Sequence, residues 1–482
     1  SAAAESLQAD PEKDTKISTS YYYAISSQDL NAIVQEHPMP SLKGNLQWTK
    51  FRYDTASVYR RLWATAILVN VLVILVMIVR CVQSLESPTY GGAATGVGVN
   101  LVIATLMRQE HCVNLLFHLA TILPHWTPLS IRACAAKVYS YGGVHSGCGI
   151  SALFWYIFYM TLLSLQFRGS TGHRNALYAT TALTLFMLLV ITCLAHPTFR
   201  RRYHDQWEIS HRFCGWSAIA LVWAQTIILA SAKAEGTGTP MVIVLCGTPS
   251  FWFLISMTCC IIYPWMRLRY RRCVAQRLSD HALRLSFNDR RMPTCVGYRV
   301  SSRPLIENHG FATIPNDDNE AKGYSIIVSN AGDWTNHLIN HPPSRIWTRG
   351  APTIGVMRVG LLFSPLVVVT TGSGIGPCLS FLKARPDYPV RVIWSARAPI
   401  QTYGENIMFS VLRADPQALI VDTRKTKMGK EGNPNLSELT WALCRQTQAE
   451  AMVIISNPFV TRKTVFDLES RGMAAFGAVF DS

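Results

Sequence analysis

The chain has 482 residues, 49% hydrophobic and only 15% charged, with 45 Lys and Arg against 29 Asp and Glu for a formal charge of +16. Soluble domains carry about 25% charged residues. The deficit, with a mean hydropathy of +0.17, excludes a disordered or purely cytosolic chain and points to membrane spans. The length allows two or three domains. The thirteen Cys show no CxxC pair and no metal-ligand spacing, which argues against a disulfide framework or a zinc site and for small buried hydrophobes.

Residues 1–54 open with Ser1, contain no cleavable apolar signal and read as an N-terminal cytosolic segment or linker, open to attachment of a further N-terminal module. Six stretches of spanning length follow: Leu62 to Val82, Ala93 to Leu123, Val138 to Phe167, Ala176 to Ala195, His211 to Ala230 and Met241 to Pro264. Lys50, Arg52, Arg60, Arg61, Arg132, Lys137, the run Arg200 to Arg202 and Arg267 to Arg272 flank one side. The other side holds Arg168, Arg174 and Lys233, with Arg80 near one end. The positive-inside rule therefore places both termini of a multi-pass protein in the cytoplasm and accounts for the net charge without nucleic acid.

Arg108, Glu110 and His111 interrupt the second span. Either Arg108 and Glu110 neutralise each other, or the span is two shorter pieces meeting near an interface. His111, His118 and His125 recur every seven residues, as on one helical face. His145 opens the third span and His211 the fifth, both toward the inner side. Imidazoles at equal depth on facing helices bind the two axial positions of a haem iron, although a lone His on an apolar helix is more often only hydrogen-bonded.

After Arg272 short strand-like runs replace the long apolar ones: HALRLSF, CVGYRVSS and YSIIVS. From Pro365 strands alternate with helical stretches, through PLVVVTT, PVRVIWSA, ALIVDT, AMVIIS and AAFGAVF, which implies a parallel sheet. The first of these strands ends in GSGIGP. There Gly372, Gly374 and Gly376 allow a tight turn and close approach to a pyrophosphate, and Pro377 suits a first helical turn whose free N–H groups attract phosphate. Arg397, ending the second strand where an acidic residue would hold a ribose hydroxyl, favours NADPH over NADH.

The strings GGVHSGCGISALFW, RRRYHDQWEISHRFCGW, PLIENHGFATI, AGDWT, GSGIGP and AVFDS together resemble the ferric reductase and NADPH oxidase superfamily, most closely the fungal TmpA and TmpL-type transmembrane flavoproteins, over roughly residues 55 to 482. The resemblance implies a six-helix transmembrane bundle at 55–272, a β-barrel FAD domain at 273–363 and a Rossmann-like NAD(P) domain at 364–482, together a ferredoxin-reductase-like module below a membrane α domain. It implies FAD, NADPH or NADH, and haem b. His309, Phe311 and Ala312 are similar to the flavin-holding element, with Gly310 and Ala312 replacing Pro and Thr. Gly332, Asp333, Trp334 and Thr335 are similar to the stretch that follows. Ser329 stands where an Arg would meet the flavin pyrophosphate, with Arg299 or Arg303 as substitutes. Ser456, before Asn457 and Pro458, replaces the Cys beside the nicotinamide, and Phe480 resembles the terminal aromatic that covers the flavin.

Two-haem relatives place a second His 13 or 14 residues after each first one, but here Phe158 or Tyr159 and Ala224 or Gln225 occupy those positions. One inner haem on His145 and His211 is left, while His118 and His204 match no part of the pattern. The expected function is a membrane NAD(P)H-dependent flavin oxidoreductase delivering electrons to a small-molecule or metal acceptor, either in a cavity near Arg108, Glu110 and His118 or in the cytosol. The alternative is a degenerate flavoprotein acting as a redox sensor or scaffold.

Overall fold

The computed structural model describes residues 26–316, 323–430 and 432–478. A first helix, α1 (Ser27–Glu36), is capped by Ser26, whose hydroxyl accepts from Asp29 N. The helical half then comprises α2 (Val58–Val82), α3 (Tyr90–Leu106), α4 (Glu110–Thr121), α5 (Leu129–Ala136), α6 (Gly142–Gln166), α7 (Thr171–Leu194), α8 (His204–Thr237) and α9 (Pro249–Met266). Among the described residues five helices are long and apolar enough to cross a membrane, or six when α3 and α4, bent by 71° at their break, count as one span.

The second apolar run is therefore two helices, with Arg108 in the turn between them and Glu110 at the first position of α4. Glu110 does not pair with Arg108. Its carboxylate, 1% exposed, accepts from Arg299 Nη1 at 2.8 Å, so the charge that interrupts the span ties the bundle to a β-strand beneath it. The sixth run is also broken, since Met241–Cys246 ends at Gly247 and Pro249 begins α9. His111 and His118 lie on α4, but His125 falls beyond its end and bonds Leu361 O at 3.1 Å, so the three do not share a helical face.

Below the bundle, β1 (Arg269–Arg272), β2 (Val274–Arg277), β3 (Ala282–Phe287), β4 (Val296–Ser301), β5 (His309–Ala312), β6 (Ile314–Pro315), β7 (Tyr324–Ser329) and β8 (Arg345–Ile354) form two antiparallel four-stranded sheets, β1-β8-β4-β5 and β2-β3-β7-β6. Leu283, Leu285, Phe287, Tyr298, Tyr324 and Ile326 fill the space between them. β1 pairs with β8 from Arg269, so this unit begins four residues ahead of the boundary expected at 273. A helix, α10 (Asp333–Asn340), follows β7.

The last unit is β9 (Leu366–Thr371), α11 (Ile375–Ala384), β10 (Val390–Ala396), α12 (Glu405–Ala414), β11 (Leu419–Asp422), α13 (Leu436–Gln446), β12 (Ala451–Ile455), α14 (Pro458–Glu469) and β13 (Ala474–Gly477). Its strands form one parallel sheet in the order β11-β10-β9-β12-β13. Leu366 to Val369 are fully buried, as a parallel strand covered on both faces requires. Leu30 of α1 is buried in the same core as α13, so the described part of the N-terminal segment docks on this unit.

Side chains lock the three parts together. Arg132 of α5, 4% exposed, donates to Glu450 through both Nη1 (2.7 Å) and Nη2 (2.8 Å), and to Thr127 O and Leu362 O. Lys137 pairs with Glu469 of α14 and donates to Ala475 O. Asn114 of α4 donates to Pro352 O and accepts from Ile354 N, extending the backbone pairing of β8.

Candidate functional site

Strands β9 and β12 are neighbours although two strands separate them in sequence. The order of the sheet reverses here, and in open α/β sheets ligands bind in the crevice beyond the carboxyl ends of such a pair. β9 ends in Thr371 and β12 is followed by Ser456, and their hydroxyls share a 2.6 Å hydrogen bond across the mouth of the crevice. Gly372 has φ +52°, a left-handed conformation that favours glycine. Its carbonyl accepts from Trp394 Nε1 at 3.1 Å, so β10 anchors the turn.

The three glycines of the turn differ in role. A Cβ on Gly374 would collide with Ile455 O and approach Thr370 Oγ1 to 2.6 Å, so this glycine lets α11 sit against β12. A Cβ on Gly376 would meet nothing within 4 Å, so the close approach available to a ligand lies there, beside Pro377. Gly374 was expected to serve the ligand, but the protein itself fills that space.

Arg397 follows β10 and is exposed. Its neighbours carry no motif of their own. Asp422, ending β11, accepts from Ala398 N (3.0 Å) and from Arg424 Nη2 (2.8 Å), and Arg424 Nη2 also reaches Gln401. The Arg424 guanidinium holds the Asp422 carboxyl down at about 2. Two cations, Arg397 and Arg424, thus stand at adjacent strand ends, organised by one carboxylate.

On the barrel, Trp334 stacks on His309 with ring centroids 3.9 Å apart and 19° between planes, and on Phe311 at 6.1 Å. Trp334 Nε1 donates to Ser302 Oγ, and Thr335 Oγ1 accepts from Ala331 N and Gly332 N, which fixes the turn entering α10 at Asp333. Ala312 ends β5, paired with Gly297 of β4. Ser301 Oγ and Asn308 Oδ1 are buried without a hydrogen-bond partner among the described residues, while His309 Nε2 stands 3.6 Å from Glu307 Oε2 and Ser329 lies beside the Tyr403 hydroxyl. Buried polar atoms are normally satisfied. Two unsatisfied polar atoms beside the aromatic stack fit a polar, planar cofactor such as FAD. Arg299, offered above as a substitute for the Arg missing at Ser329, is instead engaged by Glu110. Phe480 lies outside the described residues.

In the bundle, His145 Nδ1 donates to Ala104 O at 2.8 Å, which leaves Nε2 for another partner. His145, His211 and Arg108 lie within electrostatic reach of one another. One turn beyond each imidazole stands a glycine, Gly149 on α6 and Gly215 on α8, and a Cβ on either would meet nothing within 4 Å. Arg108 retains accessible surface but is largely surrounded by protein, near Tyr59 and Tyr141, and among the described residues no hydrogen bond or ion pair holds it. This open, cationic space fits a flat anionic macrocycle. Among the described residues no three His, Cys, Asp or Glu gather as a metal centre.

Between α6, α7 and α8 the bundle is joined by side-chain hydrogen bonds, whereas a cavity of about 380 Å3 opens between the far ends of α2 and α3, lined by Val76, Arg80, Glu86 and Gly92. Tyr156 OH donates to Gln225 Oε1 at 3.1 Å, and Gln225 Nε2 donates to Thr184 Oγ1 at 2.8 Å, with Tyr156 and Gln225 only 2% and 3% exposed. At the same level of α6, Asn70 Oδ1 accepts from Asn100 Nδ2 and Trp155 Nε1. Where a second pair of haem ligands would stand, hydrogen-bonded side chains join the helices directly. Glu110, sealed against Arg299, does not line the open space, in contrast to the cavity expected near it.

The cysteines divide by location. Cys273, Cys295, Cys378 and Cys444 are buried in the two sheet-bearing units, and burial pushes the thiols of Cys295 and Cys378 up to about 12, so neither supplies a thiolate. Cys81, Cys193, Cys246 and Cys259 are exposed on the apolar helices rather than buried as expected.

A family profile described as adenylate-forming reductase 03009, C-terminal domain, matches residues 356–482. Adenylate-forming reductase 03009 of Coprinopsis cinerea is 40% identical over 433 residues, covering 89% of this chain and 41% of that protein. Adenylate-forming reductase 06235 of the same fungus is 39% identical over 434 residues, with the same coverage. Among solved structures, a ferredoxin NADP+ reductase from Neisseria gonorrhoeae with bound FAD and NADP aligns with a TM-score of 0.36 at 13% identity, over 44% of this chain and 99% of that one. A flavohemoglobin from Malassezia yamatoensis with bound FAD and heme aligns with a TM-score of 0.38 at 13% identity, over 80% and 98%. The chain is similar to proteins named as reductases and spans about two-fifths of the length of those curated relatives.

Proposed function

We propose that this chain is a membrane-embedded, NADPH-dependent flavin oxidoreductase of the ferric reductase and NADPH oxidase type, with both termini on the cytosolic side. The observation that carries the reading is the glycine turn at the reversal of the parallel sheet, where β9 and β12 end beside the Thr371–Ser456 hydrogen bond. The turn adjoins the barrel, since a Cβ on Gly372 would lie 3.6 Å from Tyr403 OH, and the Tyr403 side chain reaches Ser329 of β7. The membrane reading rests on the apolar surface of α2, which exposes Leu68, Leu72, Leu75, Val76 and Val79 along one unbroken helix. At about 1.5 Å per residue the helix is long enough to cross a hydrocarbon core of about 30 Å.

In this reading Gly376 and the N–H groups opening α11 receive the pyrophosphate, and Arg397 with Arg424 takes the 2′-phosphate. Ser456 positions the nicotinamide with a hydroxyl already oriented by Thr371. His309, Phe311 and Trp334 line the flavin ring, and Thr335 holds the loop of Gly332 and Asp333 beside it. FAD, when bound, accepts hydride from NADPH and releases electrons singly, and haem carries them one at a time. His145 and His211 would hold one haem, and Arg108 would supply positive charge to its carboxylates. Because Phe158, Tyr159, Ala224 and Gln225 supply no second pair of imidazoles, the reading places delivery on the cytosolic side. The relatives' name joins adenylate formation to reduction, and we place this chain on the reduction side of that pairing, with a small-molecule acceptor.

The test is a cofactor inventory of the detergent-solubilised chain. A yellow preparation that bleaches on NADPH addition and gives one haem per chain by pyridine haemochrome is expected, and His145→Ala or His211→Ala should remove the haem absorbance while flavin remains. A colourless preparation indifferent to NADPH sinks the reading and favours a scaffold. Asp422→Asn removes the charge that aligns Arg424. The expected result is an NADPH Kd raised about tenfold with the NADH Kd unchanged. Equal effects on both would show that the 2′-phosphate is held elsewhere.

A further inference from the structure

We propose that the basic cleft between the foot of α2 and α14 binds the phosphate of an anionic phospholipid. The cleft is a cavity of about 290 Å3 carrying five cations, Arg52, Arg60, Arg61, Lys137 and Arg462, against two carboxylates, Asp54 and Glu469. The latter carboxylate is already engaged by Lys137, which also donates to Ala475 O. Arg60 Nη1 donates to Thr55 O, while Arg61 donates to Ala56 O through Nε and to Arg52 O through Nη2. These bonds hold two guanidiniums at the helix foot and leave each with further N–H groups to offer. Arg52 lies over the Tyr53 ring at 5.3 Å, a contact that uses none of its donors.

A second observation points to a ligand. Thr461 of α14 lines the cleft, is only 4% exposed, and its Oγ1 has no hydrogen-bond partner among the described residues. A buried hydroxyl beside convergent guanidiniums is what a phosphate oxygen would satisfy. None of His309 to Ala312, Gly332 to Thr335, Gly372 to Pro377 or Arg397 lines this cleft, so it is separate from the proposed dinucleotide sites.

Its position selects the source of the phosphate. Val58, the first residue of the apolar helix α2, lines the cleft, and Val465 and Phe466 form an apolar wall opposite. The arginines stand at the inner end of the first span, where anionic headgroups of the cytosolic leaflet collect basic side chains. The cleft also joins the bundle to the nucleotide unit, so an occupant would touch both. This inference rests on the membrane reading above.

The experiment reconstitutes the full chain into phosphatidylcholine nanodiscs with a minor fraction of phosphatidic acid and counts retained lipid by native mass spectrometry. One phosphatidic acid per chain is expected to survive delipidation. Arg52→Gln combined with Thr461→Val should cut its retention about tenfold, with Arg60→Gln as an independent variant of the same direction. Unchanged retention in both variants overturns the site, as does equal retention of phosphatidylcholine. Displacement by inorganic phosphate with no phosphatidic acid retained assigns the cleft to a soluble anion and overturns the lipid. A chain that fails to enter nanodiscs overturns the membrane reading itself, which separates that failure from a failure of this site alone.

Discussion

Gly374→Ala is expected to damage the protein more than Gly376→Ala, although both glycines belong to the same turn. The single added carbon at Gly374 would enter the Ile455 carbonyl and stand 2.6 Å from Thr370 Oγ1 and 3.0 Å from Ile455 Cγ2. Two of these contacts are to the edge of β12 itself, and Thr370 Oγ1 already donates to Ile455 O at 3.1 Å. Backbone in the middle of a parallel sheet cannot move aside cheaply. Overpacking of this kind costs about 1–3 kcal/mol. The expected readout is a lower Tm together with an NADPH Kd raised at least about tenfold, because the mouth of the crevice is displaced with the turn. At Gly376 the added carbon meets no protein atom, so the Tm should hold while NADPH binding weakens through contact with the ligand alone. If Gly376→Ala left NADPH affinity unaltered, the pyrophosphate would not lie on this turn. If Gly374→Ala left the Tm unaltered, the packing described between α11 and β12 would be incorrect.

The parallel sheet was legible because each of its buried strands is a short apolar run bounded by turn residues, and PLVVVTT, VRVIWSA, ALIVD and AMVII map onto β9 to β12 almost residue for residue. The apolar helices were legible for the same reason, since composition alone marks a run that has no polar face. Breaks were harder. Gly247 ended one helix, and although Arg108, Glu110 and His111 marked a possible break in Ala93 to Leu123, they gave no sign that the chain would turn by 71° between Leu106 and Glu110. The cause is tertiary: Glu110 turns toward Arg299, a residue 189 positions later, and no local signal encodes that partner. The same limit hid Asp422 and Arg424, which act through Ala398 on another strand, and the Tyr156 to Gln225 contact between α6 and α8. Motif residues were found by spacing; the residues that position them are distant in the chain and became visible only when folded.

Arg132→Ala is expected to loosen the nucleotide unit from the bundle. The guanidinium is almost fully buried and makes four hydrogen bonds, two of them bidentate to Glu450, while Glu450 Oε2 also accepts from Ser364 N at 2.8 Å. Removing one partner of a buried pair leaves an uncompensated charge and costs about 3–5 kcal/mol. Here the value should fall toward the lower end, because Glu450 retains partial exposure, 27%, and the Ser364 contact. The hydrogen bonds from Arg132 hold the Glu450 carboxyl below its ordinary range. Its contribution is therefore fully present above the unfolded value of about 4.3 and is lost as pH falls through the lower folded value. Thermal unfolding followed from neutral pH down to about pH 3 should show a steeper loss of Tm for the wild type than for Arg132→Ala, since the variant has already lost the linkage. Limited proteolysis should release the 364–482 unit faster from the variant. A double variant with Glu450→Gln should be less than additive, with a coupling of about 0.5–3 kcal/mol. Additivity would mean that the pair forms no functional latch, and Lys137 with Glu469 would then be the contact that holds the two halves in register.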